Sequence, residues 1–190
     1  MTGIGLRAAT IEDALALAEL QDEANAGHLR ARVWSRPGTD WREVGAEEIA
    51  DEASEMSWRR TVVALLDSEI VGMLNYADNE TVPNVTDVVG APFVSLRRKI
   101  GPGVYLRAMA VRPRCRGHGV GSSLLDVAAD AARRSGAEAI GVIVHETNER
   151  LAAHYRARGF REVARERVLR HHVYPVGSDL VALRLGLKGE

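Results

Sequence analysis

The stretch Arg116-Gly117-His118-Gly119-Val120-Gly121 constrains this chain more than any other. It joins an apolar run that predicts a strand, Val104 to Val111, to an alanine-rich run that predicts a helix, Ser122 to Ser135. A strand that turns through glycines into a helix N-terminus makes an anion site. The missing side chains let backbone N–H groups approach a ligand, and the helix dipole favours negative charge there. The expected ligand is a phosphate or a diphosphate.

Two familiar phosphate loops fail on spacing. A Walker A loop needs a lysine before its Ser or Thr, and none stands here. A dinucleotide fingerprint needs Gly-x-Gly-x-x-Gly. Counting from Gly117 and Gly119, the third position falls on Ser122; counting from Gly119 and Gly121, it falls on Leu124. The loop also follows a strand of the chain's second half rather than the first strand.

A chain of 190 residues can bury a sizeable core as one domain, 1–190. Its formal net charge of −1 gives no basic field for nucleic acid. Lys99 and Lys188 are the only lysines, so arginine carries nearly all the positive charge. Cys115 is the only cysteine, which rules out an internal disulfide and a cysteine-based zinc site and fits a cytoplasmic setting. No metal site is expected. The first twenty residues carry Glu12, Asp13 and Glu19 without a basic start, unlike a signal peptide, and no run reaches the length of a membrane helix.

Along the chain, Ile4 to Ala8 predicts a short strand. Thr10 predicts a helix start, with Ile11, Leu15 and Ala18 at helical spacing to about Ala24. The pattern breaks from Gly27 to Arg42, and a second helix with an acidic face is expected from Ala46 to Met56. Thr61 to Leu66 and Glu69 to Asn75 predict a hairpin around Asp67-Ser68. Tyr76 to Gly103 holds Pro83, Pro92 and Pro102 without a clear period and is expected to be a long loop, either a binding lid or a passive insertion. Its Arg97-Arg98-Lys99 cluster could meet a phosphate or form a solvated edge.

Beyond the glycine loop, Val120, Leu124, Ala128 and Ala131 mark a buried helical stripe that Gly136 ends. Ala139 to Val144 predicts a buried strand, and Asn148 to Arg158 a helix closed by Gly159. Val163 to Val173 and Leu180 to Leu185 predict two last strands around a Pro175–Gly177 turn. This order gives an α/β fold with a mixed sheet.

The loop fits Arg116-x-x-Gly119-x-Gly121, preceded by Val111-x-Pro113. One helix and one strand later comes Asn148-Glu149-Arg150-Leu151-Ala152-Ala153-His154-Tyr155-Arg156-Ala157-Arg158-Gly159-Phe160. Together these segments resemble the two signature motifs of the GNAT superfamily of N-acetyltransferases. The resemblance is firm over Val104 to Phe160 and rests on element order elsewhere. It implies a GNAT-like domain with a central mixed, mostly antiparallel sheet flanked by helices and with splayed central strands.

The resemblance further implies acetyl-CoA as cofactor, its diphosphate on the backbone of Arg116, Gly117, His118, Gly119, Val120, Gly121 and Ser122. The pantetheine arm would follow Met109, Ala110 and Val111, with Asn148 a further cofactor contact or simply a helix cap. A strand N–H near Met109 would face the oxyanion, and Tyr155 would be the general acid. The base is open: His145 or Glu146 after the next strand, or Glu69 or Glu80, since Val104 to Val111 contains no acid. Cys115 has no role in direct transfer. Trp34, Trp41, Trp58 and Tyr76 could wall the acceptor site or pack in the core. The expected partners are a primary amine, on a small molecule or a peptide or protein, and a second copy of the chain in a homodimer. The alternatives are a non-catalytic acetyl-CoA sensor or regulatory module, and an enzyme using a longer acyl chain or a hydroxyl acceptor.

Overall fold

The computed structural model describes residues 3–25, 27–33, 36–80, 82, 84–85, 90–168 and 179–187. Trp34, Pro83, the Pro175–Gly177 turn and the end of the strand expected to reach Val173 lie outside these residues. The fold is α/β, with a seven-stranded mixed sheet in the order β1-β2-β3-β4-β5-β7-β6. The strands are β1 (Gly5–Ala8), β2 (Thr61–Leu66), β3 (Glu69–Asp78), β4 (Val104–Val111), β5 (Ala139–His145), β6 (Arg161–Arg167) and β7 (Asp179–Gly186). The helices are α1 (Ala14–Ala24), α2 (His28–Val33), α3 (Trp41–Ala50), α4 (Ala91–Ile100), α5 (Val120–Arg134) and α6 (Glu149–Arg156).

The chain forms two compact units. The first comprises Met1–Tyr76 and Arg107–Ala128; the second comprises Ala77–Leu106 and Ala129–Glu190. In the first unit β1, β2 and β3 pair antiparallel. The β2–β3 connection is the expected two-residue turn, with Asp67 and Ser68 both at positive φ (48° and 66°). Two positive φ values define a type I′ turn, whose twist matches that of a hairpin. Leu17, Ala18 and Leu20 of α1 pack with Ile49 of α3 against Val63, Met73, Ala108 and Ala110.

Three expectations for this unit shift. The stripe Ile11, Leu15, Ala18 is not the buried one: Ile11 is 50% and Leu15 55% exposed, while Ala14, Leu17 and Ala18 are buried. Ile11–Asp13 forms a 3-10 turn before α1 begins, which resets the helical phase. The second helix starts at Trp41 rather than Ala46, because Asp40 caps it by accepting from the Arg42 N–H (2.9 Å). It ends at Ala50, and α2 lies within the stretch expected to be irregular.

In the second unit β5 and β6 both pair antiparallel with β7, and Val104–Leu106 of β4 pair in parallel with Ile140–Val142 of β5. Part of the stretch expected to be a loop, 76–103, is regular structure. β3 runs on to Asp78, and α4 occupies Ala91–Ile100 with Pro92 in its first turn, where a missing N–H costs nothing. Leu96 and Ile100 of α4 pack on Tyr105, Leu180 and Ala182. Arg97 is neither a phosphate contact nor a solvated edge. It is buried, donates from Nε to Asn79 Oδ1 (3.0 Å) and stacks over the Tyr105 ring at 4.6 Å. Gly141 sits so tightly under α4 that a Cβ there would stand 2.2 Å from Ile100 Cγ2.

Candidate active site

The glycine loop belongs to the first unit, as do Met109, Ala110 and Val111. The Arg112 N–H donates to the Val71 carbonyl (2.8 Å), and Pro113–Cys115 make a 3-10 turn. Gly117 and Gly119 then take φ values of +83° and +85°, a region that L side chains enter at a cost. The first α5 hydrogen bond runs from the Ser123 N–H to the Gly119 carbonyl (3.0 Å). The N–H groups of Val120, Gly121 and Ser122 precede it and project from the helix end. α5 therefore begins two residues before the expected Ser122, which places Val120 and Gly121 on the helix itself.

This end of α5 fits an anionic diphosphate. A Cβ at Gly117 or Gly119 would meet nothing within 4 Å, so the approach is open. No carboxylate occurs in residues 116–122. The Arg116 N–H is already given to the Pro113 carbonyl (3.3 Å), so the backbone donors left for a ligand start at Gly117. The Arg116 side chain donates to the Val111 carbonyl (2.8 Å) and to Glu23 of α1 (2.5 Å). His118 places Nδ1 3.0 Å from the Arg116 carbonyl. Cys115 is buried and free.

Gly72 of β3 is a residue that sequence reading passed over. A Cβ there would lie 3.1 Å from the Ala110 carbonyl and 3.1 Å from Val120 Cγ1. Its bare backbone lets the first turn of α5 settle on the sheet. Val120, Leu124, Leu125, Ala128 and Ala132 are the buried side of that helix, with Ala132 in place of the expected Ala131. The only advance signal was a glycine inside an otherwise regular strand, which marks close approach of another element.

The second unit holds His145, Glu146, Asn148 and Tyr155. Asn148 Oδ1 accepts from the Leu151 N–H (3.2 Å) and so caps α6. Gly159 closes the helix at φ +88°, with the Phe160 N–H returning to the Tyr155 carbonyl (3.2 Å). Tyr155 is 1% exposed and meets Phe160 edge to face at 5.2 Å. Burial raises the Tyr155 phenol far above its usual value, and the neighbouring Tyr105 adds to the shift. The group stays protonated throughout the neutral range.

The base candidates differ in what holds them. His145 ends β5, and burial lowers its pKa, so the imidazole is neutral at pH 7. Glu146 is exposed and ion-paired with Arg165. Glu69 is likewise exposed and tied to Arg114, and Glu80 is exposed just past β3. Of the aromatic residues, Trp41 and Trp58 each meet arginine. Trp41 is clasped between Arg30 and Arg42, each guanidinium 5.0 Å from the ring centre, and Trp58 lies under Arg59 at 4.7 Å. Among the described residues no cluster of His, Cys, Asp and Glu could hold a metal. No helix among them is long and apolar enough to cross a membrane.

Comparison with known proteins matches this geometry to one class. The model of the acetyltransferase (GNAT) family matches residues 20–160. The chain belongs to that family. Similar solved structures include an N-acetyltransferase from Staphylococcus aureus Mu50 (18% identity, 98% of this chain and 100% of that one, TM-score 0.66). Another is a Salmonella typhimurium protein solved with its cofactor acetyl-CoA (19%, 98% and 95%, 0.64). A third is the NatC complex bound to Gag peptide and CoA (16%, 97% and 99%, 0.61). No curated protein matches. As a member of that family the protein is an acetyltransferase.

Proposed function

We propose that this chain transfers the acetyl group directly to the primary amine of a small molecule, peptide or protein. When bound, acetyl-CoA supplies an activated acetyl thioester. The N–H groups of Gly117 to Ser122 hold its diphosphate at the start of α5. The backbone of Met109, Ala110 and Val111 would carry the pantetheine arm, and a strand N–H near Met109 would face the acyl oxygen. Asn148 contributes from the cap of α6.

Tyr155 holds the proton that the departing sulfur needs. The observation that supports the catalytic reading over a sensor is this phenol, buried and kept protonated, on the residue that the resemblance matches to the family's general acid. His145, neutral at pH 7, is the base we favour for removing a proton from the acceptor amine. Glu146, exposed and paired with Arg165, is the alternative. The deciding experiment is release of free CoA thiol across a panel of primary amines. Amine-dependent release that falls at least ten-fold in Y155F, with CoA affinity unchanged, supports the reading. Tight acetyl-CoA binding without release on any amine overturns the primary-amine reading.

A further inference from the structure

Glu19 and Glu23 stand four residues apart on α1, so they share one face of that helix. Each meets an arginine of the β4–α5 connection. Arg112 Nη2 donates to Glu19 Oε2 (2.7 Å), and Arg116 Nη2 donates to Glu23 Oε1 (2.5 Å). Glu19 also receives Arg42 Nε (3.1 Å), so its charge is shared between two arginines. The Arg116–Glu23 pair is half-exposed, with side chains 43% and 27% accessible. Arg116 keeps a second anchor, its Nε bond to the Val111 carbonyl, that does not depend on Glu23.

We infer that Glu23 is a positioning residue that competes with the cofactor's diphosphate for the Arg116 guanidinium. This rests on the proposed role of the glycine loop. With Glu23 in place, Arg116 is folded back on α1 and its charge is neutralised, so the diphosphate is held by backbone N–H groups alone. An exposed ion pair is weak enough to exchange partners. Removing the Glu23 charge releases Nη2 toward the loop while the Val111 anchor keeps the side chain in place. The native pairing therefore holds affinity for CoA below what the loop could reach, which favours departure of the product after transfer.

The test is calorimetric titration of CoA itself into the full chain. E23Q is expected to bind CoA about three- to five-fold more tightly at low ionic strength, the gain shrinking as salt screens it. In an R116Q background the same change is expected to give no gain, whereas E23D, which can keep the pair, retains native affinity. E19Q removes an equal charge from the same helix face without freeing Arg116 and should not tighten binding. The KM for acetyl-CoA should fall in E23Q while kcat does not rise. Weaker or unchanged CoA binding in E23Q overturns the inference, as does a gain that persists in the R116Q background. Failure of the unaltered chain to bind CoA overturns the loop assignment and this inference together.

Discussion

Gly72 and Val120 lie so close that one methyl group on the glycine would stand 3.1 Å from the valine's Cγ1 and equally near the Ala110 carbonyl. The strand interior and the start of α5 are thus fitted to each other through a missing side chain. G72A requires the Val120 side chain and the Ala110 carbonyl to give by a few tenths of an ångström. It should cost about 1–3 kcal/mol, the usual penalty of overpacking. CoA affinity should fall in parallel, because Val120 stands at the end of α5 that carries the free N–H groups. Thermal melting and CoA titration of the same variant check both. A stable variant with native affinity would detach Gly72 from the site.

Gly119 tests the anion site directly. G119D places a carboxylate on the open face of the loop and forces a β-carbon into φ +85°. Like-charge repulsion with backbone strain should weaken CoA binding by at least about 100-fold. Calorimetry at two salt concentrations separates the terms, since only the charge component is screened.

Tyr155 should leave a mark on the alkaline limb of stability. An unfolded tyrosine ionises near pH 10, whereas the folded phenol is held protonated to higher pH. Above pH of about 10 the native state binds more protons than the unfolded state, so stability falls as pH rises toward the folded value. Below it the contribution is complete. Y155F should flatten this limb of a urea-denaturation series. An unchanged slope would mean that the phenol is not buried in solution.

The acid limb belongs to Asp13 and Glu19. Arg7 donates two bonds to Asp13 (2.6 and 2.9 Å), and the Thr10 N–H adds a third (2.8 Å). These bonds, that from Arg7 foremost, hold the Asp13 carboxyl below its usual value, as Arg112 does for Glu19. The stabilisation is present above the unfolded carboxyl value, about 4, and is lost as pH falls through the lowered native values. D13N should reduce stability by about 1 kcal/mol at pH 7 and remove part of the acid slope, since Arg7 is partly solvated. Denaturation midpoints between pH 2 and 7 supply the measurement.

Ser68 occupies the second left-handed position of the β2–β3 turn, at φ 66°. Type I′ turns favour Asp-Gly, and this chain already supplies Asp67. S68G should raise stability by about 0.5–1 kcal/mol, the relief of a left-handed residue less the entropy of an added glycine. Urea midpoints at constant slope check it.

Much of this could be read in the residues. β4 occupies Val104–Val111 as expected, because glycine and proline bound an apolar run rich in β-formers. Asn148 and Gly159 mark the ends of α6 through the same cap chemistry that betrays them in sequence. The failures have equally local causes. α4 was hidden because Pro83, Pro92 and Pro102 dominate its neighbourhood, although Pro92 stands where a helix tolerates it. The phase of α1 was lost to the 3-10 turn at Ile11–Asp13. At the site, the loop was legible because glycine spacing is local. The Arg116–Glu23 pair was not, because 93 residues separate its members.

The division of the chain into Met1–Tyr76 with Arg107–Ala128, and Ala77–Leu106 with Ala129–Glu190, bears on how the protein is made. Neither unit is a contiguous stretch, so neither can be finished as the ribosome delivers it from the N-terminus. The first unit closes only once residue 128 has emerged. By then α4 and the start of β4 are already outside, while β5, β6 and β7 have yet to emerge. The nascent chain must therefore carry Phe93, Leu96, Ile100 and Tyr105 uncovered for the time needed to add some sixty residues. That interval, several seconds at ordinary elongation rates of about 5–20 residues per second, is when a chaperone would find its binding site.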